Sequence, residues 1–337
     1  MISDVNQPNK PPPSPLLGEA SLFSNVFILI NPTSGTTRRR KKLKRVIEDL
    51  QKRAGRLETV YTASALHATR LIKENRRMGF SLIICAGGDG TINEVINGFL
   101  EEDHPDRRDH EPSSIPPLAI LPTGTGNGLA REIGIPLDPL KAYQAILTGI
   151  PRPVYPGKVK ILNPRQETNE RYFILFVGAG FDGYVIDRID RRQGLFKKLP
   201  KLWIYFIFGF AALFSYSHPI IHYSVDGVPH SGSTGLITKA KLILGPLTLA
   251  PPACIDRQEL ILCLFKSNGI IGYFKALVGL LFGDAGRGIE YIEGKEIKVV
   301  GNDEFVHADG ESLGTLPAIL SVSEKPLFLV YPRSPTA

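Results

Sequence analysis

Strand and helix signals alternate over the first half of the chain and strands predominate in the second, predicting an α/β domain on a parallel sheet followed by a β-rich domain. Three observations lead there. Apolar runs at residues 26–30, 81–86 and 118–121 are short and continuous, as strands buried on both faces are. Each is followed by a glycine-bearing stretch and then by a segment of helical character. Past Ile150-Pro151-Arg152-Pro153 the helices give way to strands separated by turn pairs such as Asp226-Gly227 and Glu293-Gly294, which are hairpin signals. The expected boundaries are a flexible tail over 1–22, an α/β domain over 23–150 and a β-rich domain over 151–333.

Taken in order, the first 21 residues are rich in proline and polar side chains and lack the charged-then-apolar order of a signal peptide, so they read as a tail. After the strand at 26–30, Asn31-Pro32-Thr33-Ser34-Gly35-Thr36-Thr37 offers hydroxyls and turn formers ahead of a basic helix, Arg38-Arg39-Arg40-Lys41-Lys42-Leu43-Lys44-Arg45. That run reads first as a solvated helix face and second as an attractor of phosphate or anionic lipid. Residues 57–61 form a strand and 65–78 a helix. The strand at 81–86 runs into Gly87-Gly88-Asp89-Gly90, with a helix from about Thr91. Residues 101–117 interrupt the alternation with charge and proline. Their His104, Asp106, Asp109, His110 and Glu111 fit a solvated insertion loop better than a metal cluster. Strand 118–121 leads through Pro122-Thr123-Gly124-Thr125-Gly126-Asn127-Gly128 into a helical segment at 129–133.

The glycine loops are where chemistry is expected. Glycines at a strand end let the backbone approach a ligand with no Cβ in the way, and the following helix aims free N–H groups and its positive dipole end at an anion. Asp89 would repel a bare phosphate, so a carboxylate inside such a cradle points to a nucleotide bound with a divalent cation. The plainer alternative is a strand-to-helix turn with Asp89 as its cap. Two such loops at the carboxyl ends of neighbouring strands would line one crevice, where open α/β sheets bind ligands. No Gly-x-x-x-x-Gly-Lys-Ser/Thr pattern occurs, so a P-loop NTPase is not supported.

Composition narrows the classes further. The 337 residues are 43% hydrophobic, enough for two domains with cores of their own. A net charge of +7 fits anionic partners such as nucleotides or acidic membrane surfaces and does not by itself indicate nucleic acid. Cys85, Cys254 and Cys263 are odd in number, lie in apolar surroundings and lack Cys-x-x-Cys spacing, so they read as free thiols in a reducing compartment. The longest apolar stretch, residues 202–214, is short of the ~20 residues a membrane-spanning helix needs. With Lys197, Lys198 and Lys201 ahead of it, it reads as a core or lid helix, or as one resting on an anionic membrane.

The set Asn31-Pro32-Thr33-Ser34-Gly35, Gly87-Gly88-Asp89-Gly90-Thr91 with Asn93-Glu94, and Pro122-Thr123-Gly124-Thr125-Gly126-Asn127 with Ala130-Arg131 resembles the diacylglycerol kinase catalytic family, which includes bacterial lipid kinases and sphingosine kinases. The match continues through Gly178-Ala179-Gly180-Phe181-Asp182 and Asp309-Gly310-Glu311, covering roughly 24–332. The resemblance implies an NAD kinase/diacylglycerol kinase-like fold: a three-layer α/β/α domain that binds the nucleotide, a β-sandwich-like domain that takes the lipid, and an active site in the cleft between them. It implies ATP-dependent transfer to a lipid hydroxyl with Mg2+. Asn31, Thr33, Ser34, Gly35, Thr62, Gly87, Gly88, Gly90, Thr91, Gly124, Thr125 and Asn127 would hold the nucleotide. Asp89 would organise the metal, directly or through water. Asp309 would accept the substrate hydroxyl proton, with Glu311 in support. Expected partners are a lipid substrate, an anionic membrane surface and a second copy of the chain, without nucleic acid; the expected location is cytoplasmic, at most peripheral to a membrane.

Locally, Asp309-Gly310 is a turn like Asp226-Gly227, and only the resemblance separates the two. After an expected strand over 172–177, Gly178-Ala179-Gly180-Phe181-Asp182-Gly183 literally fits a dinucleotide fingerprint, but the region twenty residues on reads Lys197-Lys198-Leu199-Pro200-Lys201 and lacks the acidic partner. The resemblance lends Gly180 and Asp182 a weak connection to the acceptor. Many bacterial members carry an acidic Asp-Gly-x-Leu-Asp pattern in the β domain, linked in some to a structural magnesium. Here Asp256 and Glu259 are what remains of it, so that second metal site and diacylglycerol as acceptor are both in question. Rival readings are an NAD kinase, which would place a later Asn-Glu pair that is not found outside Asn169-Glu170, a phosphofructokinase, and a catalytically silent nucleotide- or lipid-binding module.

Overall fold

Fully apolar strands form the centre of the first sheet. In a computed structural model, which describes residues 22–101, 115–163, 165, 169–191, 201–217, 219–243, 245–265 and 288–333, the chain begins with β1 (Asn25–Ile30) and α1 (Thr37–Arg53). It continues through β2 (Arg56–Tyr61), α2 (His67–Asn75), β3 (Leu82–Gly87), α3 (Asp89–Leu100), β4 (Leu118–Pro122), α4 (Gly128–Glu132) and α5 (Pro139–Leu147). The expected tail up to residue 21, residues 102–114 of the insertion and the Lys197-Lys198 flank lie outside the described residues. Every residue of β3 and β4 is buried, as their unbroken apolar composition requires. α1 buries Leu43, Val46 and Leu50, a helical three-and-four spacing that lays one stripe on the sheet. An Ile84→Ala change in this core should cost about 2–5 kcal/mol.

β1 pairs in parallel with β2 on one side and β3 on the other, and β3 with β4. The chain therefore leaves β1 in one direction and returns past it in the other. Right-handed crossovers place α1 on one face and α2 and α3 on the opposite face. α5 packs against α1 and α2 against α3, giving the three layers expected. The reversal at β1 and β3 is a topological switch point, the place where open α/β sheets bind ligands.

The rest of the chain adds β5 (Ile150–Val154), β6 (Gly157–Ile161), β7 (Glu170–Phe173), β8 (Phe176–Gly180), α6 (Phe181–Asp190) and α7 (Lys201–Ser215). Strands then dominate: β9 (Ile221–Val225), β10 (Val228–Gly232), β11 (Thr234–Thr238), β12 (Leu242–Ile243), β13 (Leu247–Thr248) and β14 (Leu260–Phe265). They continue as β15 (Ile289–Gly294), β16 (Glu296–Val300), β17 (Phe305–Ala308), β18 (Glu311–Thr315), β19 (Ala318–Val322) and β20 (Leu327–Tyr331). Two six-stranded antiparallel sheets, ordered β10-β9-β16-β19-β6-β7 and β15-β14-β11-β8-β17-β18, share one apolar core. Phe173, Ile297 and Leu320 from the first meet Val177, Ile237 and Leu262 from the second, the interleaving that makes a sandwich.

Several details differ from the sequence reading, each for a physical reason. β20, from the far end of the chain, inserts beside β4, and β5 pairs antiparallel with it, so the first sheet is completed by strands counted above with the second half. The Asp226-Gly227 pair closes a hairpin as expected, with both residues at positive φ (47° and 89°). Glu293-Gly294 does not. One residue separates β15 from β16, too few to reverse the chain, and the two strands join different sheets. The expected strand over 172–177 is broken at Ile174-Leu175, whose amides turn toward Asp309. No helix among the described residues is long and apolar enough to cross a membrane.

Candidate active site

Three loops meet at the switch point. After β1, Asn31 folds an Asx turn: its Oδ1 accepts from the amide (3.0 Å) and the hydroxyl (2.8 Å) of Thr33. Its Nδ2 donates to Thr91 Oγ1 at 2.8 Å, joining the first loop to the start of α3. Ser34 accepts from Thr123 Oγ1 at 2.9 Å, joining it to the loop after β4. Gly88 and Gly124 lie against each other, and a Cβ on Gly124 would stand 2.6 Å from Gly88 Cα. Gly35 has φ +78° and no room for a side chain against the Thr123 carbonyl. These glycines therefore let three backbones converge, as well as baring them to a ligand. Gly87 ends β3, Thr62 sits half-buried just past β2 with its amide on the Ile30 carbonyl, and Thr125 is exposed at the loop tip.

Helix α3 starts at Asp89, two residues earlier than expected, and Asp89 leans across to the neighbouring loop, where its Oδ1 accepts from the Leu129 amide at 3.3 Å. It thus stands at the N-terminal ends of both α3 and α4, where a carboxylate is favoured. Asn127, in the left-handed region at φ 51°, is fully buried and donates to the Gly124 carbonyl at 2.8 Å. Its Oδ1 is buried with no hydrogen-bond partner among the described residues. Buried polar atoms are ordinarily satisfied, and this one lies in a loop whose backbone a ligand can reach. A nucleotide phosphate or sugar fits that cradle. A magnesium ion carried with the phosphates fits beside Asp89, since Mg2+ commonly uses one or two carboxylates plus phosphate oxygens. Among the described residues no group of three His, Cys, Asp or Glu forms a self-sufficient metal site.

The basic helix is mostly solvated, with Arg38, Arg40, Lys41, Lys44 and Arg45 exposed, while Arg39 and Lys42 turn inward. Arg39 donates to the Thr123 carbonyl at 3.3 Å and also to that of Gly124. Arg40 donates to the Pro32 carbonyl at 3.2 Å, and Lys42 pairs with Asp138, the N-cap of α5. Arg39 is the residue sequence reasoning missed here, because nothing in a run of like charges marks the member that turns inward.

The Asp309-Gly310 hairpin, with φ of 48° and 83°, arrives from the sandwich. Asp309 Oδ1 accepts from the amides of Leu175 and Phe176, both at 3.0 Å, and Oδ2 from the Ile174 amide at 2.9 Å and Asn93 Nδ2 at 2.7 Å. Burial pushes the Asp309 carboxyl pKa up, while the three amides and Asn93 oppose the rise. Glu311, likewise raised by burial and held back by Arg171, bonds Arg171 at 2.6 Å. Its Oε1 lies 3.5 Å from where a Gly90 Cβ would be. Arg171 also donates to Asn93 Oδ1 at 3.2 Å, and Asn97 donates to the same oxygen at 3.0 Å. Asn93, Asn97 and Arg171 thus tie α3 to the carboxylate hairpin. Asn93 was legible only as part of the glycine-loop motif, and Arg171 not at all.

Two expected positions stand apart. Asp182 pairs with the buried His307, and a Cβ on Gly178 would collide with both. A Cβ on Gly183 would strike the Phe305 carbonyl, and Gly180 turns from strand to helix at φ +86°. The apparent dinucleotide fingerprint is therefore a packing motif. Asp256 is exposed in the turn between β13 and β14, and Cys254 Sγ donates to its Oδ1.

Residues 25–159 match the diacylglycerol kinase catalytic domain. The chain is 29% identical to a diacylglycerol kinase of Bacillus subtilis (strain 168) over 313 residues, 91% of this chain and 96% of that one. It is 27% identical to a diacylglycerol kinase of Staphylococcus carnosus (strain TM300), over 86% of this chain and 90% of that one. The crystal structure of a diacylglycerol kinase from Bacillus anthracis strain Sterne superposes with a TM-score of 0.70 at 22% identity, covering 92% of this chain and 98% of that chain, a likeness of fold. Glycine loops, carboxylate hairpin and relatives aligned along nearly the whole length point the same way: residues 25–159 match a diacylglycerol kinase catalytic domain, and the chain as a whole is similar to diacylglycerol kinases.

Proposed function

We propose that this protein catalyses ATP-dependent phosphorylation of a lipid hydroxyl, on diacylglycerol or a related lipid. The observation that carries this reading is the meeting of the glycine loops with the carboxylate hairpin through α3, which holds Gly90 beside Glu311 and Asn93 on Asp309. Phosphoryl transfer asks for positioning and charge neutralisation more than covalent chemistry. ATP with Mg2+ would supply the phosphoryl group and the neutralising charge. The amides around Gly35, Gly88, Gly90 and Gly124 would cradle phosphates; Asn31, Thr33, Ser34, Thr62, Gly87, Thr91, Thr125 and Asn127 would shape the nucleotide site; Asp89 would hold the metal, directly or through water. The relatives named as diacylglycerol kinases support a lipid acceptor.

Asp309 orients the acceptor hydroxyl and receives its proton. Three of its four donors are main-chain amides fixed by the fold, whereas Asn93 is a side chain that can yield its place on Oδ2 to a hydroxyl. A second reading has its own observation: Asp309 is fully supplied with donors, while Glu311 has 41% of its side chain exposed and faces Gly90. In that case Glu311 meets the hydroxyl and Asp309 holds the 174–176 turn. Steady-state kinetics of Glu311→Gln and Asp309→Asn separate the two. If Asp309 is the acceptor, Asp309→Asn loses about 10²–10⁴-fold in kcat and Glu311→Gln loses less; the reverse order assigns the hydroxyl to Glu311.

On α7 the side chains of Ile207 and Phe210 are exposed, 50% and 66%, as suits a protein that meets its substrate at a membrane surface. Offering the purified chain labelled ATP with diacylglycerol vesicles in one reaction and NAD in another tests the acceptor class. Label in the lipid supports this reading, and label on NAD alone replaces it.

A further inference from the structure

Lys239 is fully buried, and its ammonium donates to the backbone carbonyl of Glu259 at 2.8 Å and to that of Arg257. A buried ammonium is costly unless its donors find acceptors, and here two carbonyls of one turn take two of its three N–H groups. Burial lowers its pKa to about 8, so the group is mostly charged at neutral pH. The turn is the one in which the resemblance implies a structural magnesium. A divalent ion does not fit this arrangement. The Arg257 and Glu259 carbonyls already point at Nζ, and Asp256 takes the Cys254 thiol.

The same residue reaches the active site through its backbone. The Leu175 carbonyl accepts from the Lys239 amide at 2.8 Å, the Ala240 amide at 3.2 Å and Thr238 Oγ1 at 2.9 Å. Leu175 and its neighbours in turn present the three amides that hold Asp309. Two residues on, the Lys241 and Leu242 amides, each at 3.0 Å, grip Glu132 at the end of α4, the helix that follows the second glycine loop. One stretch, 238–242, thus touches the support of the carboxylate hairpin on one side and the nucleotide loop's helix on the other.

We propose that the Lys239 ammonium is a cation built into the chain: it takes the place of a structural metal in pinning the 254–259 turn, and through Leu175 it is a positioning residue for Asp309. Its link to turnover rests on the lipid kinase reading; its structural part does not. The test compares thermal unfolding of the nucleotide-free full-length protein in chelator and in excess Mg2+, for the native chain and for Lys239→Met. Alongside it, amide hydrogen exchange at residues 174–176 is measured. The native Tm should be the same in both buffers. Lys239→Met should lose about 3 °C or more, and exchange at 174–176 should speed up at least about tenfold while exchange in β1 and β3 stays unchanged. In turnover, kcat should fall with the KM for ATP within about twofold. A native Tm that Mg2+ alone raises by the same amount overturns the proposal, and so does a Lys239→Met protein with unaltered Tm and exchange at 174–176. The Mg2+ comparison on the native chain stands even if the variant does not fold. None of the structural readouts needs a lipid, so a chain that passes them without phosphorylating any lipid would contradict the function and leave this inference intact.

Discussion

Asp309 shows how much a single residue is asked to do. Its carboxylate takes three backbone amides and one side-chain amide, so replacing it by Asn turns an NH2 toward a donor and leaves hydrogen bonds unmade. Unfolding should be easier by about 1–3 kcal/mol, measurable by denaturant titration, in addition to the loss of rate, while nucleotide affinity holds within about twofold. The raised pKa carries a sign for activity as well. If Asp309 is the proton acceptor, as proposed, its ionised form is the active one, so rate is lost as pH falls through a pKa that burial raises above the ordinary aspartate value. The acid limb of kcat against pH should accordingly lie above that of an exposed aspartate; a limb at or below the ordinary range contradicts the assignment. Arg39 is a quieter case. Removing its guanidinium by Arg39→Ala should weaken ATP binding about threefold to thirtyfold, the equivalent of one or two lost hydrogen bonds, because the loop it braces carries Gly124.

At the level of elements, the glycine loops were legible because strand ends, glycines and helix starts leave local marks. What they hold was less so. Gly88 and Gly124 are readable as ligand-facing glycines, yet the structure shows them also meeting each other. Gly124→Ala would force the two loops apart, since its Cβ would stand 2.6 Å from Gly88 Cα. It should therefore reduce nucleotide binding more than Gly126→Ala, whose Cβ meets the flexible Asp89 carboxylate at 2.9 Å. Calorimetric titration with ATP and Mg2+ would order them. The Asp309 hairpin and the Asp226 hairpin share a turn type, as the sequence implied, and differ only in their surroundings. Asp226 caps the amides of Lys295 and Glu296, whereas Asp309 caps a turn 134 residues or so earlier in sequence. No local pattern encodes that distinction, which is why the resemblance had to supply it. Lys239 was invisible for the same reason: a lysine between Thr238 and Ala240 gives no sign that two carbonyls twenty residues on will enclose it.

Across the whole molecule, the chain closes on itself. β20 enters the first sheet between β4 and β5, with Leu327, Leu329 and Val330 buried in the α/β core. Alternating signals disclosed two folding patterns in series but not that the last strand returns to the first domain, since strand partners are not written locally. A chain ended at residue 326 should therefore be destabilised in its first sheet, and the ATP binding proposed for that half should be lost even though every glycine loop is intact. Retained binding in that truncation would show that β20 contributes little. The return also links the ends of the sandwich to the sheet that bears the loops, so the hairpin and the cradle are held by more than the contacts between them.

The central claim is that this cradle delivers phosphate to a lipid through the carboxylate hairpin. The measurement that tests it most directly incubates the purified chain with γ-labelled ATP, Mg2+ and a total lipid extract, beside Asp309→Asn, and follows label into the organic phase with the product weighed by mass spectrometry. The account predicts a labelled lipid heavier by one phosphate that is formed by the native chain and lost in the variant. An organic phase without label, or label that persists undiminished in Asp309→Asn, contradicts it.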